Sequence, residues 1–275
     1  MTMEVQLIIT HPGSAHFDEV TAIAFILAEN KGMQFQVERR EPAPAELDNP
    51  DIWVIDIGLR LEPAKRNFDH HQSLDCPASF VLVANYLGLT ETMSVLPWWW
   101  FKDSVDRIGP VKSSEIFHAG DDLVNRNPVE SWLVTRFAAE PDKCVAMLRD
   151  YGSRLINEAK SLKKQIDYWK KAKRLVITGL PAMFAETKET AGLDEYRRLE
   201  KNPPDIVISL DRTGSGWRLF RYDGVPVDFN LIAGNLQIAF AHKSGFLAKT
   251  RELIPMDELF VLVGQAVTLR AHGNK

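Results

Sequence analysis

The sequence predicts an α/β protein with three parts: an N-terminal open, largely parallel sheet with flanking helices, a helical connector, and a smaller C-terminal α/β domain. Three observations predict it. Short apolar runs end in loops that carry His or Asp. Strand-like and helix-like segments alternate from the first residues onward. A long charged amphipathic stretch then separates this pattern from a second set of strands.

Val5 to Thr10 (VQLIIT) is an apolar run stopped by HPGS, the mark of a buried parallel strand. From Asp18 the apolar residues Ala22, Ile23, Phe25, Ile26 and Leu27 recur at helical spacing, and Asn30 to Gly32 ends the helix. Gln34 to Arg39 alternates as a second strand, and Asp51 to Asp56 (DIWVID) is a third with an acidic residue at its C-terminal end. Ser79 to Leu87 reads as a helix, and Pro97 opens another containing WWWFKDSVDRIG. Residues 110 to 130 are rich in Gly, Asn, Asp and Pro and read as an irregular connection. Ser131 to Lys173 is amphipathic and helical. Strands are expected at Arg174 to Thr178, Asp205 to Leu210 and Trp217 to Tyr222, the last followed by an Asp223-Gly224 turn. A closing helix spans Met256 to Leu269. The expected domains are residues 1–125, a connector 126–173, and 174–275.

The 275 residues are 45% hydrophobic and 25% charged, an ordinary globular composition with ample chain for a core. A net charge of −4 argues against a protein that coats polyanions, but leaves room for a local basic cleft. Cys76 and Cys144 are too few for a disulfide framework or a thiolate zinc module. No apolar run approaches the roughly 20 residues of a membrane helix. The first ten residues lack a basic, cleavable leader, so the expected location is cytoplasmic.

Four of the seven histidines, His11, His16, His70 and His71, lie in expected loops beside Asp18, Asp56 and Asp69. Imidazole with carboxylate suits Mn²⁺, Fe²⁺, Co²⁺ or Zn²⁺. Each residue alone has a plainer reading: Asp18 as a helix cap, Asp56 as a turn residue, and the His pair as surface or core residues. The plainer readings weaken together, because separate strand ends bring ligand-type residues to one edge of one sheet, where chemistry sits in open α/β folds. The set exceeds what one tetrahedral ion needs, and two ions about 3.5–4 Å apart sharing a carboxylate would use it. Asp103 and Asp106, at i and i+3 on one helical face, are alternative further ligands. No Walker A, HExxH, GxSxG or GxGxxG motif points elsewhere.

HPGSAHFDEVTA, IDIG, FDHHQ and AFAHKSGFLAKTRE together resemble the DHH phosphoesterase superfamily, and more closely the MYG-type (melanocyte proliferating gene) exonuclease family. The likeness is strongest at residues 10–27, 52–72 and 239–252. It implies a DHH-type catalytic domain followed by a substrate-binding one. His11, His16 and Asp56 would hold one ion. Asp18, Asp56, His70 and a further Asp (Asp106 or Asp103) would hold the second. His71 would touch the substrate phosphate, with Asp69 orienting the neighbouring imidazole. His242, Lys243, Gly245 and Arg251 would match the family's substrate loop. The usual metal is Mn²⁺, with Mg²⁺, Co²⁺ or Zn²⁺ as alternatives. One departure stands out: the family generally shows Asp-Asn-Gly where this chain has Asp106-Arg107-Ile108.

The function expected on this basis is a Mn²⁺-dependent 3′–5′ exonuclease on short RNA or DNA, a two-metal-activated hydroxide attacking phosphorus. Hydrolysis of a small nucleotide or pyrophosphate-like compound is the alternative enzyme reading. A non-catalytic metal- or nucleotide-binding module is the alternative from another class. A homodimer is compatible with all three. The Lys-rich run from Lys160 to Arg174 reads as the wet face of a linker helix rather than a nucleic-acid track, and Trp98 to Trp100 as interdomain packing.

Overall fold

Strands buried on both faces build the first sheet, as the apolar runs predict. In the computed structural model, which describes residues 5–119 and 127–268, β1 (Val5–Thr10) lies between β2 (Gln34–Arg39) and β3 (Ile52–Ile55), parallel to both. Two short strands, β4 (Leu61–Glu62) and β5 (Asn67–Phe68), complete the order β2-β1-β3-β5-β4, β5 parallel to β3 and β4 antiparallel to β5. Ile8, Ile9, Trp53, Val54 and Ile55 are buried, so these strands need apolar residues at consecutive positions. The fold class is the α/β one expected.

The chain divides into two compact units, residues 1–162 and 163–275. In the first, α1 (Phe17–Glu29) is buried from Asp18 to Ala28 and forms the centre of the core. It packs with α3 (Ser79–Tyr86), α5 (Trp99–Ile108), α7 (Pro128–Ala139) and the early turns of α8 (Val145–Lys170). Gly152 lets α8 approach α1 closely: a Cβ there would lie 2.1 Å from the Ala24 carbonyl oxygen. The remaining helices of this unit are α2 (Pro44–Leu47), α4 (Thr90–Met93) and α6 (Pro110–Phe117).

The second unit holds a six-stranded sheet, β6 (Lys173–Ile177), β7 (Leu180–Ala185), β8 (Ile206–Leu210), β9 (Trp217–Arg221), β10 (Ile238–Ala241) and β11 (Leu247–Thr250). Its order is β10-β11-β9-β8-β7-β6, antiparallel except for β7 beside β8. The helices of this unit are α9 (Leu193–Leu199) and α10 (Met256–Gly264). Leu259, Leu262 and Val263 of α10 join Ile206, Ile208, Trp217 and Leu219 in one core.

Several elements differ from expectation. Residues 110–117 form a helix with Pro110 in its first turn, where a missing N–H costs nothing; residues 120–126 of that connection lie outside the described residues. The helical stretch from Ser131 comprises α7 and α8, separated near Pro141, and Lys173 already begins β6. Ala239 to Glu252, for which no element was expected, contains most of the hairpin β10–β11. The closing helix ends at Gly264, and Leu269 lies outside the described residues. Trp99 packs inside the first unit against Phe25 and Phe80. In the Lys-rich run, Trp169 is buried and its Nε1 donates to the Ala191 carbonyl at 2.8 Å. Among the described residues no helix is long and apolar enough to cross a membrane.

Candidate metal centre

The C-terminal ends of β1, β3 and β5 and the first turn of α1 carry the histidines and carboxylates into one place. His11 directly follows β1. His16 caps α1 with extended backbone (φ −121°, ψ 169°), and the Glu19 carboxylate, one turn on, accepts the His16 N–H with both oxygens at 2.8 Å. Asp18 uses its two oxygens at the start of α3: Oδ2 accepts the Ser79 N–H at 2.8 Å and Oδ1 the Phe80 N–H at 2.6 Å. It thereby satisfies amide groups that a helix leaves unpaired at its N-terminus.

Asp56 ends DIWVID in the left-handed region (φ 61°), a conformation that Asp tolerates better than most residues. Its N–H donates to the Phe68 carbonyl at 3.0 Å, fixing the turn against β5. The turn gives the two carboxylate oxygens different neighbours. Oδ2 lies 3.6 Å from His11 Nε2, whereas Oδ1 lies 3.2 Å from His70 Nε2 and accepts the Ser79 hydroxyl at 3.2 Å. His70 Nε2 is also 2.9 Å from Asp106 Oδ2 and 3.6 Å from Asp18 Oδ2. Three sets of ligand atoms result, each within 4.8 Å: His11, His16, Glu19 and Asp56; Asp56, His70 and His71; and Asp18, His70 and Asp106.

The electrostatics follow from crowding carboxylates in a buried place. Burial, with the charges of Asp56 and Asp106, pushes the Asp18 carboxyl well above its ordinary range. Burial opposes a charged His70, but hydrogen bonds to Asp106 and Asp56 and the charge of Asp18 outweigh it, raising its pKa to about 11. His11 is raised chiefly by Glu19, against burial. These shifts describe a site with a surplus of negative charge. His11 Nε2 is buried without a hydrogen-bond partner, although Glu19 Oε1 is 3.3 Å away. An unpartnered imidazole nitrogen facing two carboxylates, in an all-nitrogen-and-oxygen donor set, fits a divalent cation.

His71 differs from its neighbour. Its Nδ1 lies 2.7 Å from Asp69 Oδ1, which also accepts the His71 N–H at 3.0 Å, while Asp69 Oδ2 accepts the Leu59 N–H at 2.6 Å. Burial opposes ionisation of Asp69, yet these donors hold its pKa below the ordinary value. The His71 side chain stays 55% exposed, so Asp69 fixes its ring and leaves Nε2 for a ligand. It lines a cleft of about 460 Å³ together with His11, His16, Glu41, Asp56 and Asp69. A second cleft of about 470 Å³ opens beside His16, Asp18 and Asp106 and holds Lys102, whose Nζ pairs with Glu130 at 2.6 Å.

Of the two alternative acidic ligands, Asp106 stands with His70 and Asp103 does not. Asp103 Oδ1 accepts the Ala78 N–H at 2.9 Å and its Oδ2 pairs with Arg107 at 3.1 Å. Asp103 therefore anchors the approach to α3. Arg107, the departure from Asp-Asn-Gly, reaches back to Asp103 and donates to the Leu74 carbonyl at 2.9 Å, while Asp106 keeps its place. Glu19 is the residue that sequence reasoning missed. Its signal was present: an acid adjoining Asp18, three residues after a His that caps the helix.

The expected substrate residues lie in the second unit. His242 Nδ1 accepts the Ser244 N–H at 3.2 Å within the β10–β11 turn. Gly245 has φ 67°, and a Cβ there would lie 2.1 Å from Asp228 Oδ1, so the turn requires glycine. The Lys243 carbonyl accepts from Asn230 Nδ2 at 3.0 Å, which leaves its amine outside the turn's hydrogen bonds. Arg251 Nε donates to the Leu236 carbonyl at 2.9 Å, a contact that braces its own loop.

Fold and site together define an open α/β protein with a His/carboxylate centre at its strand ends. Residues 7–75 match the family model named for the MYG1 exonuclease and described as an uncharacterised protein family (UPF0160). That match runs from within β1 through β5 and the DHH motif, and bears out the resemblance over those residues. Among curated proteins none matches the chain. Among solved structures the chain is similar to RecJ of Thermus thermophilus in complex with Mg²⁺ (11% identity, 95% of this chain, 49% of that one, TM-score 0.30). It is also similar to the Mn²⁺ complex of the same protein (13%, 95%, 52%, TM-score 0.26) and to an exonuclease RecJ bound to manganese (12%, 95%, 89%, TM-score 0.25). The chain spans about half the length of the first two.

Proposed function

We propose that this chain is a metal-dependent phosphoesterase, a 3′–5′ exonuclease acting on short RNA or DNA with two Mn²⁺ ions. The observation that carries this reading is the Asp56 carboxylate, whose two oxygens face His11 and His70 separately. His11, His16, Glu19 and Asp56 would hold one ion; Asp18, Asp56, His70 and Asp106 would hold the other. When bound, the ions supply Lewis acidity for attack of water on a phosphoester. The protein's own groups do the rest. The Asp56 N–H bond to the Phe68 carbonyl and the Asp18 bonds to the start of α3 hold these two residues in place from the outset. His71, aligned by Asp69, presents Nε2 to a phosphate oxygen. In the second unit, the side chains of His242, Lys243 and Arg251 and the backbone at Gly245 remain proposed substrate contacts. A cytoplasmic location belongs to the same reading.

The test is hydrolysis of a short oligonucleotide, a dinucleotide and pyrophosphate, each with and without Mn²⁺. The oligonucleotide should be shortened from its 3′ end in Mn²⁺ and left intact in EDTA. Turnover of pyrophosphate alone would move the assignment to a small-phosphate hydrolase. Bound metal with no turnover on any of the three would move it to a sensing module.

A further inference from the structure

The sheet of the second unit carries a polar row that the metal centre does not use. Ser209 on β8 pairs in register with Arg218 on β9, Arg218 with Lys249 on β11, and Lys249 with Phe240 on β10. Partners in register share a face, on strands about 4.8 Å apart. The opposite face carries Ile208, Leu219 and Ala248 into the core, so this row is on the other side.

Two members of the row lack partners. Arg218 Nη1 and Ser209 Oγ are buried with no hydrogen bond, and among the described residues no carboxylate lies within ion-pair distance of Arg218. Its one ring contact is with Phe220, 4.5 Å from the guanidinium carbon to the ring centroid. A half-buried guanidinium without an acceptor is costly, and folded proteins pair such groups. The carboxylates nearby are engaged: Asp211 pairs with Lys249 at 2.8 Å, and Asp194 accepts the Tyr222 hydroxyl at 3.0 Å. Arg218 and Lys249 therefore stand side by side on one face, and Arg218 Nη1 still lacks an acceptor, a place that suits a phosphate oxygen. Beyond Lys249, Phe240 is 44% exposed and its ring lies 6.4 Å from that of His242. A flat apolar ring next to a cationic row suits a base attached to the anion.

We propose that Arg218, Lys249 and Phe240 form a subsite for single-stranded nucleic acid, with the phosphate on Arg218 and Lys249 and a base on Phe240. The subsite rests on the nuclease reading for its biological sense, but is tested without turnover. Fluorescence anisotropy with a labelled single-stranded hexanucleotide, using the full chain in EDTA, measures binding alone. Arg218→Met should weaken binding at least tenfold and lower the slope of log affinity against log salt by about one. Phe240→Ala should weaken binding several-fold with the slope unchanged. Because Arg218→Met removes an unpaired cation, its melting temperature should not fall. Wild-type affinity and slope in Arg218→Met, or no binding of the hexanucleotide by the wild type, would overturn the proposal. Hydrolysis assayed separately in Mn²⁺ tells the two readings apart: binding that depends on Arg218 without any hydrolysis would leave the subsite standing and remove the nuclease.

Discussion

On the metal reading Glu19 would have two functions that substitution can separate. It accepts the His16 N–H with both oxygens, and it stands with His11, His16 and Asp56 in one ligand set. Glu19→Gln keeps an amide oxygen that can accept the His16 N–H, but removes the charge. Glu19→Ala removes both. The lost acceptor at a helix start is worth about 1 kcal/mol, which lowers the melting temperature by roughly 2–4 °C for a unit of this size. In EDTA, then, Glu19→Ala should melt a few degrees below wild type and Glu19→Gln close to it. Titration calorimetry with Mn²⁺ should behave differently: both variants should lose on the order of tenfold or more in affinity for one of two ions. Wild-type affinity and stoichiometry in Glu19→Gln would refute the argument and leave Glu19 a helix-capping residue.

Further expectations follow from the same geometry. Asp56→Ala removes the carboxylate common to two ligand sets, so bound metal and hydrolysis should both vanish while circular dichroism stays native; persistent turnover would count against the bridging role. Mn²⁺ binds only the folded chain on this reading, so at one hundred times its dissociation constant it should add about 2.7 kcal/mol of stability, seen as a rise in melting temperature that EDTA reverses. Asp69→Ala removes the acceptor that aligns the His71 ring and should lower kcat with bound Mn²⁺ unchanged; loss of metal instead would make Asp69 part of the ion site. Gly152→Ala drives a methyl into the Ala24 carbonyl and should destabilise the chain by about 1–3 kcal/mol in a thermal melt.

Much of this was readable in the chain where physics leaves few options. The runs VQLIIT and DIWVID are apolar at consecutive positions because both faces of their sheet are covered. Their ends therefore had to carry the polar residues that face the centre. The structure brings His11, His16 and Asp56 into one set of ligand atoms, and Asp18 and His70 into another. Choosing between Asp103 and Asp106 was beyond sequence, because helical spacing puts both on one face; the deciding contact is with the Ala78 amide, 25 residues away. Glu19 was hidden by its neighbour, since a helix cap and a ligand look alike in one dimension. The second unit was less legible. Its short strands β7, β10 and β11 sit among Gly, Pro and small residues, and only cross-strand pairing gives them a register. Trp217 to Tyr222 was legible as a strand, but only cross-strand register sets Arg218 beside Ser209 and Lys249.

The backbone twist at Asp56 constrains how this centre can change over generations. Asn and Gly relax most readily into that twist, yet neither brings an anion; Glu brings one on a longer arm that would no longer reach His11 and His70 from the same turn. If the metal reading holds, position 56 therefore has no graded substitute: losing the aspartate would spare the scaffold and remove the chemistry in one step.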